Sequence, residues 1–276
     1  MKRILFGLSL LAMLLVMATT AFAAEDGLDW KPWKIIVGPA DHYVWQPFNA
    51  RNQSYIYQSG GSSTAFVNQM NDQNLSWITQ KTIHGKDFAQ VYQNSPCCYL
   101  SYHGHNWPLF TRSRYQNTSK ILQYSRHKGW SYHKAYVYQW GDGNYSRIVQ
   151  SGKDDIAKVS QHGAFNKSVI RQKGYLPNRA YVTQLGDWNY SNILQKEGSN
   201  HAKVYQNGFG NVSYIYQVDT FSYHGPANNT AIVGQLGYMN HSAITQVGGG
   251  VHSAYVTQAN FCFNARIPSC AGVGCK

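Results

Sequence analysis

The chain has 276 residues and carries 24 Lys+Arg against 12 Asp+Glu, a formal net charge of +12, yet only 13% of its residues are charged. The charge is scattered, which excludes a blocky basic tail, and Tyr (21) and Gly (25) abound, which argues against a large aliphatic core. A basic chain of this kind can meet nucleic acid, acidic polysaccharide or anionic lipid.

The first residues follow the layout of a secretory signal. Lys2 and Arg3 precede an apolar run from Ile4 to Met17, and Ala21-Phe22-Ala23 supplies an A-x-A cleavage site. Cleavage there leaves 276 − 23 = 253 residues, with 22 Lys+Arg against 12 Asp+Glu, about +10. A membrane anchor is the alternative, but the cleavage site and the polar sequence after it favour export. No later run reaches the roughly 20 apolar residues that span a bilayer. The next segment, 24–53, holds Trp30, Trp33 and Trp45 with Pro32, Pro39 and Pro47, and reads as a non-repeat stretch.

From Ser54 a short word recurs. One kind reads Ser-x-Ile-x-Gln and ends at Gln58, Gln80, Gln123, Gln150, Gln172, Gln195, Gln217 and Gln246. The other reads Ala-x-Val-x-Gln and ends at Gln69, Gln93, Gln139, Gln161, Gln184, Gln206, Gln235 and Gln258. From Gln139 the steps are 11, 11, 11, 12, 11, 11, 11, 18, 11 and 12. The kinds alternate throughout, so sixteen words make eight pairs and the unit is about 22 residues. After five of the second kind, Gly follows Gln by two and Asn by five: Gly141/Asn144, Gly163/Asn166, Gly186/Asn189, Gly208/Asn211 and Gly237/Asn240.

Each word has period two, with the small residue, the branched residue and Gln on one side, which is the pattern of a short β-strand with two distinct faces. Gly and Asn tolerate left-handed backbone angles and mark the reversals. Strand, turn, strand and turn make one coil. The sequence therefore predicts an all-β fold, a β-solenoid of about eight two-strand coils with cross-β stacking over 54–258. Eight coils at about 4.8 Å each make a stack about 38 Å long. Equivalent Gln residues would hydrogen-bond along it. An eleven-residue helical period is the rival, but the Val, Ile and Tyr content and the regular Gly-Asn interruptions oppose helix.

Stretches such as AYVYQWGDGNYSRIVQ (135–150) resemble the curlin repeat, with Gln, Gly two on, Asn five on, Ser or Ala seven on and Gln eleven on. The resemblance covers about residues 54–258. It implies an extracellular functional amyloid, a curli-like fibre serving adhesion and biofilm matrix, with this chain itself or other curlin-like subunits as partners. It further implies passage through an outer-membrane export machinery, which the 24–53 segment would address unless it packs as a flap on the first coil. The chain departs from the family in its larger number of repeats, an insertion at 94–118, a Cys-bearing tail and its basic charge. The charge is more like that of a minor, nucleating subunit, and major subunit, nucleator and cap all stay open.

The insertion holds Cys97 and Cys98 with His103 and His105, and the tail 259–276 holds Cys262, Cys270 and Cys275. Their spacing matches no common zinc pattern, so a disulfide-pinned loop is favoured over a metal site. Five Cys leave one unpaired thiol after two bridges, and the pairing cannot be read from spacing. No cofactor or metal is expected. Enzyme chemistry is disfavoured too, because after the signal only Glu25 and Glu197 remain as Glu and several Asp, such as Asp142 and Asp187, fall in turns. Outward Tyr, Lys and Arg, such as Tyr136, Arg147 and Lys158, make an ordinary solvated face or a polyanion-binding stripe. The alternative to a fibre subunit is a capped monomeric β-solenoid that binds a surface glycan, ice or another polyanion.

Overall fold

The computed structural model describes residues 41–45, 52–71, 73–82, 85–95, 98–99, 110–111, 115–125, 131–219 and 228–260. The expected signal peptide, most of the 24–53 segment, and Cys97, Cys262, Cys270 and Cys275 lie outside them. The chain divides into the units Met1–Pro32 and Trp33–Lys276, and every described residue belongs to the second.

In chain order the strands are β1 (Asp41–Trp45), β2 (Gln53–Gly60), β3 (Thr64–Asn71), β4 (Asn74–Thr82), β5 (Gly85–Ser95), β6 (Cys98–Tyr99), β7 (Phe110–Thr111), β8 (Asn117–Ser125), β9 (Ser131–Trp140) and β10 (Tyr145–Gly152). They continue with β11 (Ile156–His162), β12 (Lys167–Gly174), β13 (Arg179–Asp187), β14 (Tyr190–Lys196), β15 (His201–Phe209), β16 (Val212–Val218), β17 (Asn228–Tyr238), β18 (His241–Val247) and β19 (Val251–Asn260). The described residues are all-β.

Two parallel sheets hold every strand except β6 and β7. The first runs β1-β3-β5-β9-β11-β13-β15-β17-β19 and the second β18-β16-β14-β12-β10-β8-β4-β2. The chain thus crosses from one sheet to the other at each turn, in a solenoid-like winding. Ala-x-Val-x-Gln words build the first sheet and Ser-x-Ile-x-Gln words the second. Register follows the letters: Ser146, Ile148 and Gln150 pair with Ser168, Ile170 and Gln172, and Ala157, Val159 and Gln161 with Ala180, Val182 and Gln184. The insertion interrupts nothing, since β5 pairs with β9 and β4 with β8 across it. Within it β6 and β7 form a two-stranded antiparallel sheet, with Cys98 opposite Thr111.

The core lies between the sheets and is thin. One Ile per second-sheet strand meets one Ala and one Val per first-sheet strand, and Ile148, Ile170, Ala157 and Val159 are all fully buried. Each buried Ile contributes about 1.5–3 kcal/mol. The rest of the interior is polar, and its hydrogen bonding decides whether the fold closes.

The structure adds β1, inside the segment read from sequence as non-repeat. β1 pairs with β3, placing Val44 opposite Val67. Its letters, HYVWQ at 42–46, keep the Val and Gln of a word but put His42 where Ala stands elsewhere, so the template passes over it.

Candidate functional site: buried amide ladders and open sheet edges

The word places Gln on the inner face, two residues beyond the branched residue. Gln80, Gln93, Gln123, Gln139, Gln150, Gln161, Gln172, Gln184, Gln195, Gln206, Gln217, Gln235 and Gln246 are buried with Gln69, whereas Gln58 and Gln258 stand at ends of the stack and are half-buried. In the first sheet the Gln139 Nε2 donates to Gln161 Oε1 at 2.8 Å, Gln161 to Gln184 at 2.8 Å and Gln184 to Gln206 at 2.9 Å. The second sheet repeats this, with Gln123 to Gln150 at 2.8 Å, Gln150 to Gln172 at 3.0 Å and Gln172 to Gln195 at 2.9 Å.

The same nitrogen also donates to a backbone carbonyl of the opposite sheet. Gln139 reaches Thr118 O at 3.1 Å, and Gln150 reaches Lys134 O at 3.0 Å. Both amide hydrogens are therefore used, one along the stack and one across it. The carbonyl also fixes the orientation, because a flipped amide would face oxygen with oxygen. Hence every rung donates toward the C-terminal end.

Asn makes a second ladder at one corner, and it runs the other way. Asn166 N and Asn189 N each donate at 3.1 Å to the Oδ1 of the rung before, Asn144 and Asn166 respectively. The side-chain nitrogens do likewise, Asn189 to Asn166 and Asn211 to Asn189 at 3.0 Å. Asn Nδ2 also caps the glycine carbonyl of the following rung: Asn144 to Gly163 O at 2.8 Å, Asn166 to Gly186 O at 2.6 Å, Asn189 to Gly208 O and Asn211 to Gly237 O at 3.0 Å. The ladder ends at Asn240, which donates to Asn211 at 2.9 Å.

This corrects the expected role of Asn in the turn. The left-handed residue is the one before it: Gly143 (φ 64°), Phe165 (57°), Trp188 (59°), Gly210 (67°) and Met239 (48°). Asn itself is a buried rung. Gly141, Gly163, Gly186, Gly208 and Gly237 do have positive φ, and they sit so close that a Cβ on Gly163 would lie 2.2 Å from Gly186 O.

The opposite corner carries a column that sequence reading missed. Position two before Ala holds Asp87, His133, Asp155, Asn178, Asn200 and Asn229, all buried. Asn178 Nδ2 donates to Asp155 Oδ1 at 3.1 Å, Asn200 to Asn178 at 3.0 Å and Asn229 to Asn200 at 3.0 Å. Burial pushes the Asp155 carboxyl up to about 7, against the pull of the Asn178 hydrogen bonds. Burial likewise raises Asp87 to about 7, offset in part by the His133 backbone N–H, and holds the His133 imidazole down at about 4. Six positions with three different identities, Asp, His and Asn, would align only once the neighbouring words were used to set the register.

The outer faces carry stacked aromatics and cations. Lys167 lies over Tyr145 at 5.8 Å and Tyr190 at 5.6 Å, Lys120 over Trp77 at 5.1 Å, and Phe165 stacks on Trp188 at 4.5 Å. A shallow groove of about 480 Å³ on the second sheet is lined by Tyr145, Arg147, Lys167, Arg171, Tyr190 and Asn192 over the buried Val169. No carboxylate lines it.

Of the cysteines, only the Cys98 backbone falls among the described residues, in β6. Comparison with protein-family models, with curated proteins and with solved structures finds no match for the chain.

Proposed function

We propose that this chain is a secreted, self-assembling structural subunit of a curli-like extracellular amyloid fibre, adhesive rather than catalytic. The observation that supports it best is the polarity of the ladders at the two ends. Gln58 Oε1, at the N-terminal end, is buried with no hydrogen-bond partner. Gln246, last in the same sheet, accepts from Gln217 at 2.8 Å and donates across to Thr230 O at 3.0 Å, with its second N–H aimed beyond the last rung. In the Gln ladder of the second sheet one end thus offers a donor and the other an acceptor, on parallel strand edges of matching letters, and unpaired strand edges template further strands. Such ends suit heterologous, head-to-tail addition of a second copy, which does not close on itself and so gives a filament.

The test is dilution of the exported chain from denaturant with thioflavin fluorescence and electron microscopy. Fibres that grow after a lag, and a lag shortened by seeds, are expected. A dispersed, strand-rich monomer would sink the reading. A very short lag together with seeding of another curlin-like subunit would assign the nucleating role.

The groove over Val169 favours a second activity on the same fibre. Arg147, Lys167 and Arg171 between Tyr145 and Tyr190 combine cations with stacking faces, the chemistry that holds polyanions. Binding of an acidic polysaccharide that falls steeply with salt, and falls again in Arg147→Ala with Arg171→Ala, is the expected outcome. Salt-insensitive binding would count against it.

A further inference from the structure

Among the described residues the two sheets do not have the same number of strands. The first has nine and the second eight, so β19 starts a coil that has no second-sheet strand among the described residues. Consider a second copy added at the C-terminal end with its β1 on β19. The second sheet would then skip a rung between β18 and β2 of the second copy. At about 4.8 Å per strand, the Gln246 amide and Gln58 of the second copy would be separated by roughly twice that spacing, too far to bond. Both ladders of that sheet would break at every joint. Removing one first-sheet strand from the joint restores the parity.

Two strands could leave, and the register decides between them. β1 pairs with β3 over five residues, Asp41–Trp45 against 64–68. β19 pairs with β17 over ten, Asn228 to Gly237 against Val251 to Asn260. His42 stands opposite Ala65, at a position that is Ala in every other strand of this sheet. β19 keeps the columns, with Ala254, Val256 and Gln258 in register and Gln235 donating to Gln258 at 2.9 Å. Among the described residues β1 pairs over half the length and breaks the small-residue column, whereas β19 continues the Ala, Val and Gln columns and departs only at the corners, where His252 and Asn260 follow Asn229 and Gly237.

We infer that β1 is a removable edge strand, and that in head-to-tail assembly β19 of one copy displaces β1 of the next and pairs with its β3. The joint then reads β17-β19-β3 in the first sheet and β18-β2 in the second. Gln246 donates to the buried Gln58 Oε1 that lacks a partner in the single chain. The inference rests on the fibre reading and adds what the growing end must expel.

The test uses the full exported chain with engineered strand locks. Tyr43→Cys with Phe66→Cys joins β1 to β3 at a register pair, and Ile232→Cys with Tyr255→Cys joins β17 to β19. Register neighbours in parallel strands lie within disulfide reach, and peptide mapping verifies each bridge. Seeded growth is followed with and without reductant, the unsubstituted chain serving as baseline for both conditions. The β1–β3 lock is expected to slow growth at least about tenfold and to be relieved by reductant, while the β17–β19 lock grows within about twofold of baseline. Growth of the β1–β3 lock at the baseline rate overturns the displacement. So does arrest by the β17–β19 lock, alone or together with the other. If the unsubstituted chain makes no fibres in either condition, the fibre reading itself fails and the displacement with it.

Discussion

Asp155 stands in a column that turns to Asn at Asn178 and stays Asn through Asn200 and Asn229. Protonated, its carboxyl is close in shape to an Asn amide; ionised, it is a buried charge, and burial accordingly raises it from 3.8 to about 7. A group raised in the fold stabilises fully below its unfolded value and loses that contribution as pH climbs through the folded one. Asp155 and Asp87 therefore weaken the fold as pH rises from about 4 to about 7. His133 is lowered from 6.5 to about 4, so its contribution is complete above 6.5 and is lost as pH falls toward 4. Two carboxyls against one imidazole leave lower stability at pH 8 than at pH 5, read from the guanidinium midpoint of freshly diluted monomer. Asp155→Asn is expected to raise the midpoint at pH 8 and to raise it by less than half as much at pH 5, where only part of the penalty has developed; an equal shift at both would remove the titration from the account. Gly163→Ala is the opposite kind of change. Its φ of 114° and the 2.2 Å approach to Gly186 O leave no room for a methyl. A loss of at least about 3 kcal/mol is expected from the strain and the clash together. A variant whose midpoint matches the parent would show that the glycine stack yields easily.

A strand in this molecule is held by one branched residue and one amide, so the amide matters as much as the apolar contact. Gln150→Ala removes a donor to Gln172 and to Lys134 O, and an acceptor for Gln123. Neighbours left unpaired in a buried site cost about 1–3 kcal/mol each, and the cavity adds to that. The same change at Gln258, which is less buried at the end of its sheet, is expected to cost well under half as much in monomer unfolding. Equal costs at Gln150 and Gln258 would mean that ladder position is irrelevant. This internal grammar was legible in the sequence because period two and period eleven were written in identical letters. Two elements were not legible, for definite reasons. β1 carries His42 in place of Ala, and the corner column changes identity from Asp87 to His133 to Asp155, since backbone pairing holds that corner and tolerates several polar side chains. The Asn turns were legible as position but not as role: the left-handed angle falls on Phe165 or Trp188, residues with no turn preference, because Asn is needed one place later to reach the glycine carbonyl.

At the scale of the whole molecule, direction is the dominant property. All Gln donors aim one way, so under the fibre reading growth is expected to be faster at one end, visible as unequal extension of marked seeds by time-resolved atomic force microscopy. Symmetric growth would argue against head-to-tail joints. The opposed ladders have one further effect. Amides aligned head to tail add their dipoles, as peptides do along a helix. Two Gln ladders point one way, while the Asn ladder and the shorter run from Asp155 to Asn229 point the other. The axial dipoles of the buried side chains therefore offset one another in part, and a stack of this construction builds less electric potential at its tips as it lengthens than the two Gln ladders alone would.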